Sequence, residues 1–237
     1  MMEWMVRIMT YKRDFIDFMV RSGVLTFGDF TTKSGRKSPY FVNTGNYKTG
    51  EQISKLGAFY AECIMDNIKS GKLSGDITTL FGPAYKGIPL AVAASIALSS
   101  KFSKNVNFCF NRKEAKGHGE KGVIIGYNFS ENDSILIVED VITAGTAIRE
   151  TLPVLKAQAA ADVVGLIVSV DRMEKGTGEK TAIMEIKEEF GIETFPIVTV
   201  REIIDSLHNR EVDGRVLIDD EVRGMMEDYM SLYCVVS

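Results

Sequence analysis

Residues 134–150 read SILIVEDVITAGTAIRE. The stretch opens on five apolar or small residues, the pattern of a strand covered on both faces. Two adjacent acids follow, Glu139 and Asp140, then the small and hydroxylated run Thr143-Ala144-Gly145-Thr146. A helix is expected over 146–160, with Ile148, Leu152 and Leu155 on one face. Small residues let backbone amides approach an anion, and the helix start adds unpaired N–H groups and about half a positive charge. This is a phosphate cradle, although it lacks the Gly-x-x-x-x-Gly-Lys-Ser/Thr spacing of a P-loop. Two carboxylates beside such a cradle suit a ligand carrying a phosphate and a diol, because carboxylates accept hydrogen bonds from ribose hydroxyls. The plain alternative is a polar strand-to-helix turn with solvated acids.

Outward from this stretch, strands and helices alternate. TTLFG (78–82), VNFCF (106–110), GVIIG (122–126) and VVGLIVSVD (163–171) read as strands, and IPLAVAASIALSS (88–100) reads as a helix. Near-continuous apolar strands interleaved with helices indicate an α/β open sheet, mostly parallel and covered on both faces. Such sheets bind ligands at the carboxyl ends of their strands. Pro153 falls inside the expected helix, where it removes a ladder hydrogen bond, so a kink or a later helix start is expected.

The 237-residue chain is 45% hydrophobic and 25% charged, with a net charge of −4. This is ordinary globular composition and gives non-specific nucleic-acid binding no global electrostatic support. Cys63, Cys109 and Cys234 show no metal-ligand spacing and read as packing residues in a reducing compartment. No window approaches ~18 apolar residues, so no membrane span is expected. The first twenty residues carry scattered charges and read as an amphipathic helix with Phe15, Met19 and Val20 on one face, ending at Gly23. A cytoplasmic protein is expected.

Residues 134–150 resemble the phosphoribosyl-pyrophosphate signature of the type I phosphoribosyltransferases. Three further segments narrow the likeness. TTKSGRKSPYFVNTG (31–45) contains Lys33 and Phe41; FGPAYKGIPLA (81–91) contains Tyr85 and Lys86; FNRKEAKGHGEKG (110–122) contains Arg112, Lys113, Lys116 and His118. In order and spacing the four segments are similar to those of the orotate phosphoribosyltransferases, and VSVDRMEKG (168–176), with Arg172, extends the match. The resemblance implies one domain over 1–237. It implies a small N-terminal hood from about 1–50, a core of mostly parallel sheet flanked by helices over about 51–200, and a C-terminal helical segment over about 201–237. It also implies a flexible catalytic loop.

The resemblance assigns the acid pair Glu139 and Asp140 to the ribose hydroxyls. It gives the 5′-phosphate to Thr143, Ala144, Gly145, Thr146 and Ala147. The GPAYKG turn (82–87) would hold pyrophosphate through its amides, Tyr85 and Lys86, and the family often has a non-proline cis peptide there. Residues 112–121 hold four basic side chains, two acids, a histidine and two glycines. They read as either a solvated hairpin tip or a lid closing over pyrophosphate. The resemblance places Arg112, Lys113, Lys116 and His118 there as catalytic groups and implies a homodimer in which the loop serves the neighbouring subunit's site. Orotate, a planar carboxylated ring, needs a cation and an aromatic wall; the resemblance supplies Lys33, Phe41, Thr143 and Arg172. Arg172 could equally form an ion pair with Asp171 or Glu174.

The implied reaction converts orotate and phosphoribosyl pyrophosphate to orotidine 5′-monophosphate and pyrophosphate, in pyrimidine synthesis. Mg²⁺ is the implied cofactor, held mainly by substrate and water with no dedicated protein ligands. Two departures stand out: most relatives carry two aspartates where this chain has Glu139-Asp140, and a second phenylalanine where it has Val42. The rivals are a transferase for another base and a non-catalytic regulator that senses phosphoribosyl pyrophosphate. The net charge of −4 and the cations of 112–121 argue against the second. The end of the chain has helical spacing at Val222, Met225, Met226 and Tyr229, read as packing or a dimer contact, and His208 is read as structural.

Overall fold

The computed structural model describes residues 2–32, 35–112, 123–142, 145–176 and 178–235, with only the backbone course of residues 2–9. Helix α1 (Met2–Arg21) leads into an antiparallel hairpin of β1 (Leu25–Thr31) and β2 (Lys37–Val42). Helix α2 (Gly50–Lys69) starts on a capping box in which Thr49 and Gln52 satisfy each other's backbone amides. Then come β3 (Thr79–Gly82), α3 (Gly87–Phe102), β4 (Asn107–Asn111), β5 (Ile124–Gly126), β6 (Ser134–Val141), α4 (Thr146–Gln158) and β7 (Asp162–Asp171). The chain closes with α5 (Ala182–Phe190), β8 (Thr194–Thr199), α6 (Val200–Leu207), the short hairpin β9 (Glu211–Val212) and β10 (Arg215–Val216), and α7 (Asp220–Tyr233).

The main sheet runs β5-β4-β3-β6-β7-β8. Five strands are parallel, and β5 pairs antiparallel with β4. That edge strand departs from an all-parallel reading: Asn111 pairs with Ile124 and Cys109 with Gly126, and antiparallel neighbours need no long crossover. Side chains of β6 alternate between the two faces. Leu136 and Val138 join a core with α1, α2, α3, α6 and α7, while Ile135 and Ile137 join a core with α4 and α5. Both cores exclude water from the centre of the sheet, which explains the unbroken apolar run.

Helix α4 starts at Thr146 and contains Pro153, so the later start allowed for in the sequence does not occur. The three cysteines are buried and unpaired. His208 caps the end of α6 and lies 2.8 Å from Asp220, consistent with a structural role. Among the described residues, no helix is long and apolar enough to cross a membrane.

The C-terminal helix does more than cover the core. It packs on β2, and Tyr229 meets Tyr40 edge-on at 5.9 Å between ring centroids. The N-terminal hairpin and the end of the chain therefore form one cap beside the carboxyl end of β7.

Candidate active site

The site is built on the turn between β3 and α3. A Cβ on Gly82 would lie 2.2 Å from the carbonyl oxygen of Gly87. One on Gly87 would lie 2.7 Å from Cδ of Pro83 and 2.9 Å from the oxygen of Val138. Only glycine fits either position, and the pair lets the turn lie flat against β6. The Ala84–Tyr85 peptide within it is cis, as the resemblance implied. The Ala84 amide donates to Oδ1 of Asn111 at 2.9 Å, tying the turn to the end of β4.

This turn delivers Lys86 to the end of β6. Its Nζ donates to Oδ2 of Asp140 at 2.7 Å and to the hydroxyl of Thr44 at 3.2 Å, and Thr44 donates to the same carboxylate oxygen at 2.7 Å. The amide of Val141 donates to Oδ1 of Asp140. Both acids are buried within β6, so the reading of solvated acids does not hold. Successive strand residues face opposite ways, which gives the two acids different partners. Asp140 turns to Lys86, whereas Glu139 turns back and accepts from the amide of Asp140 at 2.9 Å. Burial, joined by the charge of Asp140, pushes the Glu139 carboxyl up, to about 8, against the amide that favours its ionised form. Burial would raise Asp140 too, but hydrogen bonds from Lys86 and Thr44 prevail and hold it below its ordinary value.

Thr44, Tyr47, Tyr60, Tyr85, Lys86 and Asp140 line a cavity of about 260 Å³ at the carboxyl ends of β3 and β6. Wider recesses exist elsewhere, including one of about 650 Å³ beside Tyr11 and Pro196 at the amino end of β8. We assign the site to the smaller cavity because open parallel sheets bind ligands at their carboxyl ends, and because the charged groups converge there.

The start of α4 completes this region. Its cap residue, Gly145, sits at φ +70° and has no side chain to fill the first amides. By contrast, Thr49, Thr181, Thr199 and Asp219 cap α2, α5, α6 and α7 with side-chain oxygens. Thr146 and Ala147 are exposed at the mouth of the cradle. The loop residues Thr143 and Ala144 lie outside the described residues, as do Lys33, Lys113, Lys116 and His118.

Arg172 directly follows β7, the strand beside β6. Its guanidinium stacks over the ring of Tyr40 at 5.1 Å and donates through Nε and Nη2 to Oε1 of Glu174, at 3.0 and 2.6 Å. Of the two ion pairs open to it in the sequence, the one with Glu174 forms. Phe41 points away from Tyr40, half-exposed, and stacks on Phe30 at 5.6 Å. Arg112 follows β4; its amide donates to Val123, and its buried Nη1 has no hydrogen-bond partner among the described residues. A buried guanidinium nitrogen without an acceptor is costly unless an anion meets it.

Several residues of this region escape a reading by motif. Thr44 lies 96 positions from the carboxylate it binds. Tyr60 donates to the backbone oxygen of Glu139 at 2.7 Å, and Ser169 to that of Asp140 at 2.6 Å, so both brace the acid pair from behind. None of these carries a local signal.

A phosphoribosyl transferase domain model matches residues 43–212. The orotate phosphoribosyltransferase of Clostridium beijerinckii is 56% identical over 223 residues, 94% of this chain and 97% of that protein. That of Clostridium botulinum is 52% identical over the same share. The chain belongs to the orotate phosphoribosyltransferases. The crystal structure of the Francisella tularensis orotate phosphoribosyltransferase superposes with a TM-score of 0.78 at 34% identity, covering 93% of this chain and 99% of that one. Family, fold and enzyme class, a pentosyltransferase, therefore agree with the expectation from the four segments.

Proposed function

We propose that this chain joins orotate to the phosphoribosyl group of phosphoribosyl pyrophosphate, with Lys86 and Asp140 at the centre of the reaction. The observation that carries this is their shared cavity: a cation suited to pyrophosphate beside a carboxylate suited to ribose hydroxyls. Orotate N1 attacks C1, the C1–oxygen bond to pyrophosphate breaks, and configuration at C1 inverts. The protein has little covalent work; it aligns two anions and stabilises charge that grows on the leaving group.

In this reading the uncapped start of α4, with Thr143 to Ala147, holds the 5′-phosphate. Asp140 and Glu139 accept from the ribose hydroxyls, and Lys86 with Tyr85 and the turn amides holds pyrophosphate. Nη1 of Arg112, without a hydrogen-bond partner among the described residues, supports a place for that residue at the pyrophosphate, with Lys113, Lys116 and His118 of the loop closing over it. Lys33, Phe41, Thr143 and Arg172 hold orotate.

Among the described residues, no three His, Cys, Asp or Glu side chains gather to hold a metal. The donors at the site are Glu139 and Asp140, and Lys86 already neutralises the second. That set fits Mg²⁺ held mainly by substrate oxygens and water. When bound, the ion supplies positive charge to the pyrophosphate and the ribose hydroxyls. The reading includes a homodimer that shares the loop between subunits. It also includes a cytoplasmic setting, which the three unpaired thiols support.

The test is pyrophosphate release measured with and without orotate and with and without Mg²⁺. We expect turnover only when both are present. Release with hypoxanthine or uracil in place of orotate would overturn the assignment of the base. Binding of phosphoribosyl pyrophosphate without turnover of any base would favour a regulator.

A further inference from the structure

We propose that Glu174 and Tyr229 are positioning residues for Arg172, so that the C-terminal helix sets the affinity for a carboxylated base. The inference rests on the assignment of Arg172 to the orotate carboxylate. One oxygen of Glu174 collects three donors: Nε and Nη2 of Arg172, and the hydroxyl of Tyr229 at 2.7 Å. Those bonds occupy the Nε edge of the guanidinium. The edge formed by Nη1 and the second N–H of Nη2 makes no further hydrogen bond among the described residues, and two parallel N–H groups match a planar carboxylate. The face of the guanidinium is fixed as well, because it lies over Tyr40. Arg172 is thus held by one edge and one face.

The backbone reinforces this arrangement from the far end of the chain. Lys175 donates its amide to the oxygen of Tyr233 at 2.8 Å, and Val235 donates to the oxygen of Met173 at 2.9 Å. These bonds bracket Glu174, which bridges to Cys234. Met173 adopts φ +57°, and its amide donates to Oδ1 of Asp171 at 2.8 Å, so the chain turns sharply just after Arg172. Tyr229 in turn packs on Tyr233 at 4.9 Å and on Tyr40 at 5.9 Å. Tyr40, Tyr229 and Cys234 also belong to the core on this face of the sheet, with Met173 and Tyr233 packed against it, so the segment that carries Arg172 and Glu174 is anchored in that core.

Glu174 could act in either of two ways, and they differ in sign. As a positioner it keeps a long side chain from wandering, and its loss weakens orotate binding. As a competitor it occupies the guanidinium, and its loss strengthens binding. The geometry favours the first, because the bonds to Glu174 fall on one edge and leave the paired N–H edge without a hydrogen bond among the described residues. An unheld Arg172 would also have the neighbouring carboxylate of Asp171 to turn to.

The test is steady-state kinetics on the full-length Glu174→Ala, Glu174→Gln, Tyr229→Phe and Arg172→Gln variants, with melting temperatures to confirm folding. We expect Glu174→Ala to raise KM for orotate on the order of tenfold while KM for phosphoribosyl pyrophosphate stays within about twofold. Glu174→Gln keeps an oxygen for the same three donors and should recover most of the affinity. Tyr229→Phe removes a single anchor and should raise KM a few-fold; it carries the test if Glu174→Ala does not fold. In the Arg172→Gln background, Glu174→Ala should add nothing. An unchanged or lowered KM for orotate in Glu174→Ala, with Arg172→Gln impaired, overturns the positioning role. An unchanged KM in Arg172→Gln itself removes the assignment of Arg172 and the inference with it.

Discussion

The ammonium of Lys86 lies 2.7 Å from Oδ2 of Asp140, and Thr44 donates to the same oxygen. Asp140 is buried while Lys86 is 63% exposed, so the pair is held by the carboxylate's need for partners more than by a strong attraction. Lys86→Ala should therefore cost little stability, because Thr44 and the Val141 amide still satisfy Asp140. It should cost much activity, because the cation proposed to meet pyrophosphate is gone. We expect kcat/KM for phosphoribosyl pyrophosphate to fall by about 10²-fold, the scale of one preorganised charge at a reacting centre. Asp140→Asn should fall similarly, and the double variant should fall by less than the product, since the two residues act as a unit. Steady-state kinetics with thermal unfolding would check both points.

Glu139 makes the stability of the protein depend on pH. Its carboxyl titrates well above its ordinary value when folded, and near that value when unfolded. The stability tied to its neutral form is fully present below the unfolded value near 4.5 and is lost as pH rises through about 8. Glu139→Gln stays neutral throughout. It should unfold at higher temperature than the parent at pH 8, by on the order of 1 kcal/mol or more, about 2–4 °C per kcal/mol, and match it near pH 4.5. Above pH 8 the same variant should also bind phosphoribosyl pyrophosphate more weakly than the parent, because there the proposed acceptor for a ribose hydroxyl is ionised in the parent and neutral in the variant. Equal melting temperatures at both pH values would refute the shift.

The central strands were legible in the sequence because each is an unbroken apolar run ended by glycine, proline or an acid, as in residues 78–82 and 134–140. The acid pair and the glycine turn were legible because their chemistry is contiguous. The partners of those residues were not. Thr44, Tyr60 and Ser169 meet the acids from 96, 79 and 29 positions away, so only the folded sheet assembles them. The β9–β10 hairpin was missed, although its Asp213-Gly214 turn, with φ of +51° and +77°, is a sequence signal for a tight hairpin. The C-terminal helix was read as packing or a dimer contact because its apolar spacing is real; that Tyr229 also reaches Glu174 is invisible in any periodicity.

Residues 113–122, outside the described part of the chain, carry the loop cations. Their proposed role is to stabilise the leaving pyrophosphate in a closed, dry site, where charges act far more strongly than in water. Lys113→Ala and Lys116→Ala should each lower kcat by orders of magnitude, roughly 10²-fold or more, with unchanged melting temperature. Two inactive variants carrying lesions in different parts of the site should regain partial activity when mixed if subunits share the loop. Lys116→Ala mixed with Asp140→Asn is the suitable pair. Unchanged kinetics in both lysine variants would remove the lid from the mechanism, and failure to complement would remove the sharing.

The turn that carries Lys86 depends on two glycines for space alone. A methyl on Gly82 meets the Gly87 oxygen at 2.2 Å, and one on Gly87 meets backbone atoms of Gly82 and Val138 under 3.0 Å. None of these contacts is the end of a flexible side chain, so relief requires the turn to lift from β6. Gly82→Ala and Gly87→Ala should each destabilise the protein by about 2–4 kcal/mol and abolish most activity by displacing Lys86 from Asp140. Gly224, inside α7, is the matched control. A methyl there meets nothing within 4 Å, and alanine is the better helix former by about 0.5–1 kcal/mol. Gly224→Ala should leave kinetics unchanged and raise the melting temperature by about 1–4 °C. If Gly82→Ala kept both its stability and its affinity for phosphoribosyl pyrophosphate, the turn would have room to shift, and the placement of Lys86 would not depend on the close approach of its backbone to β6.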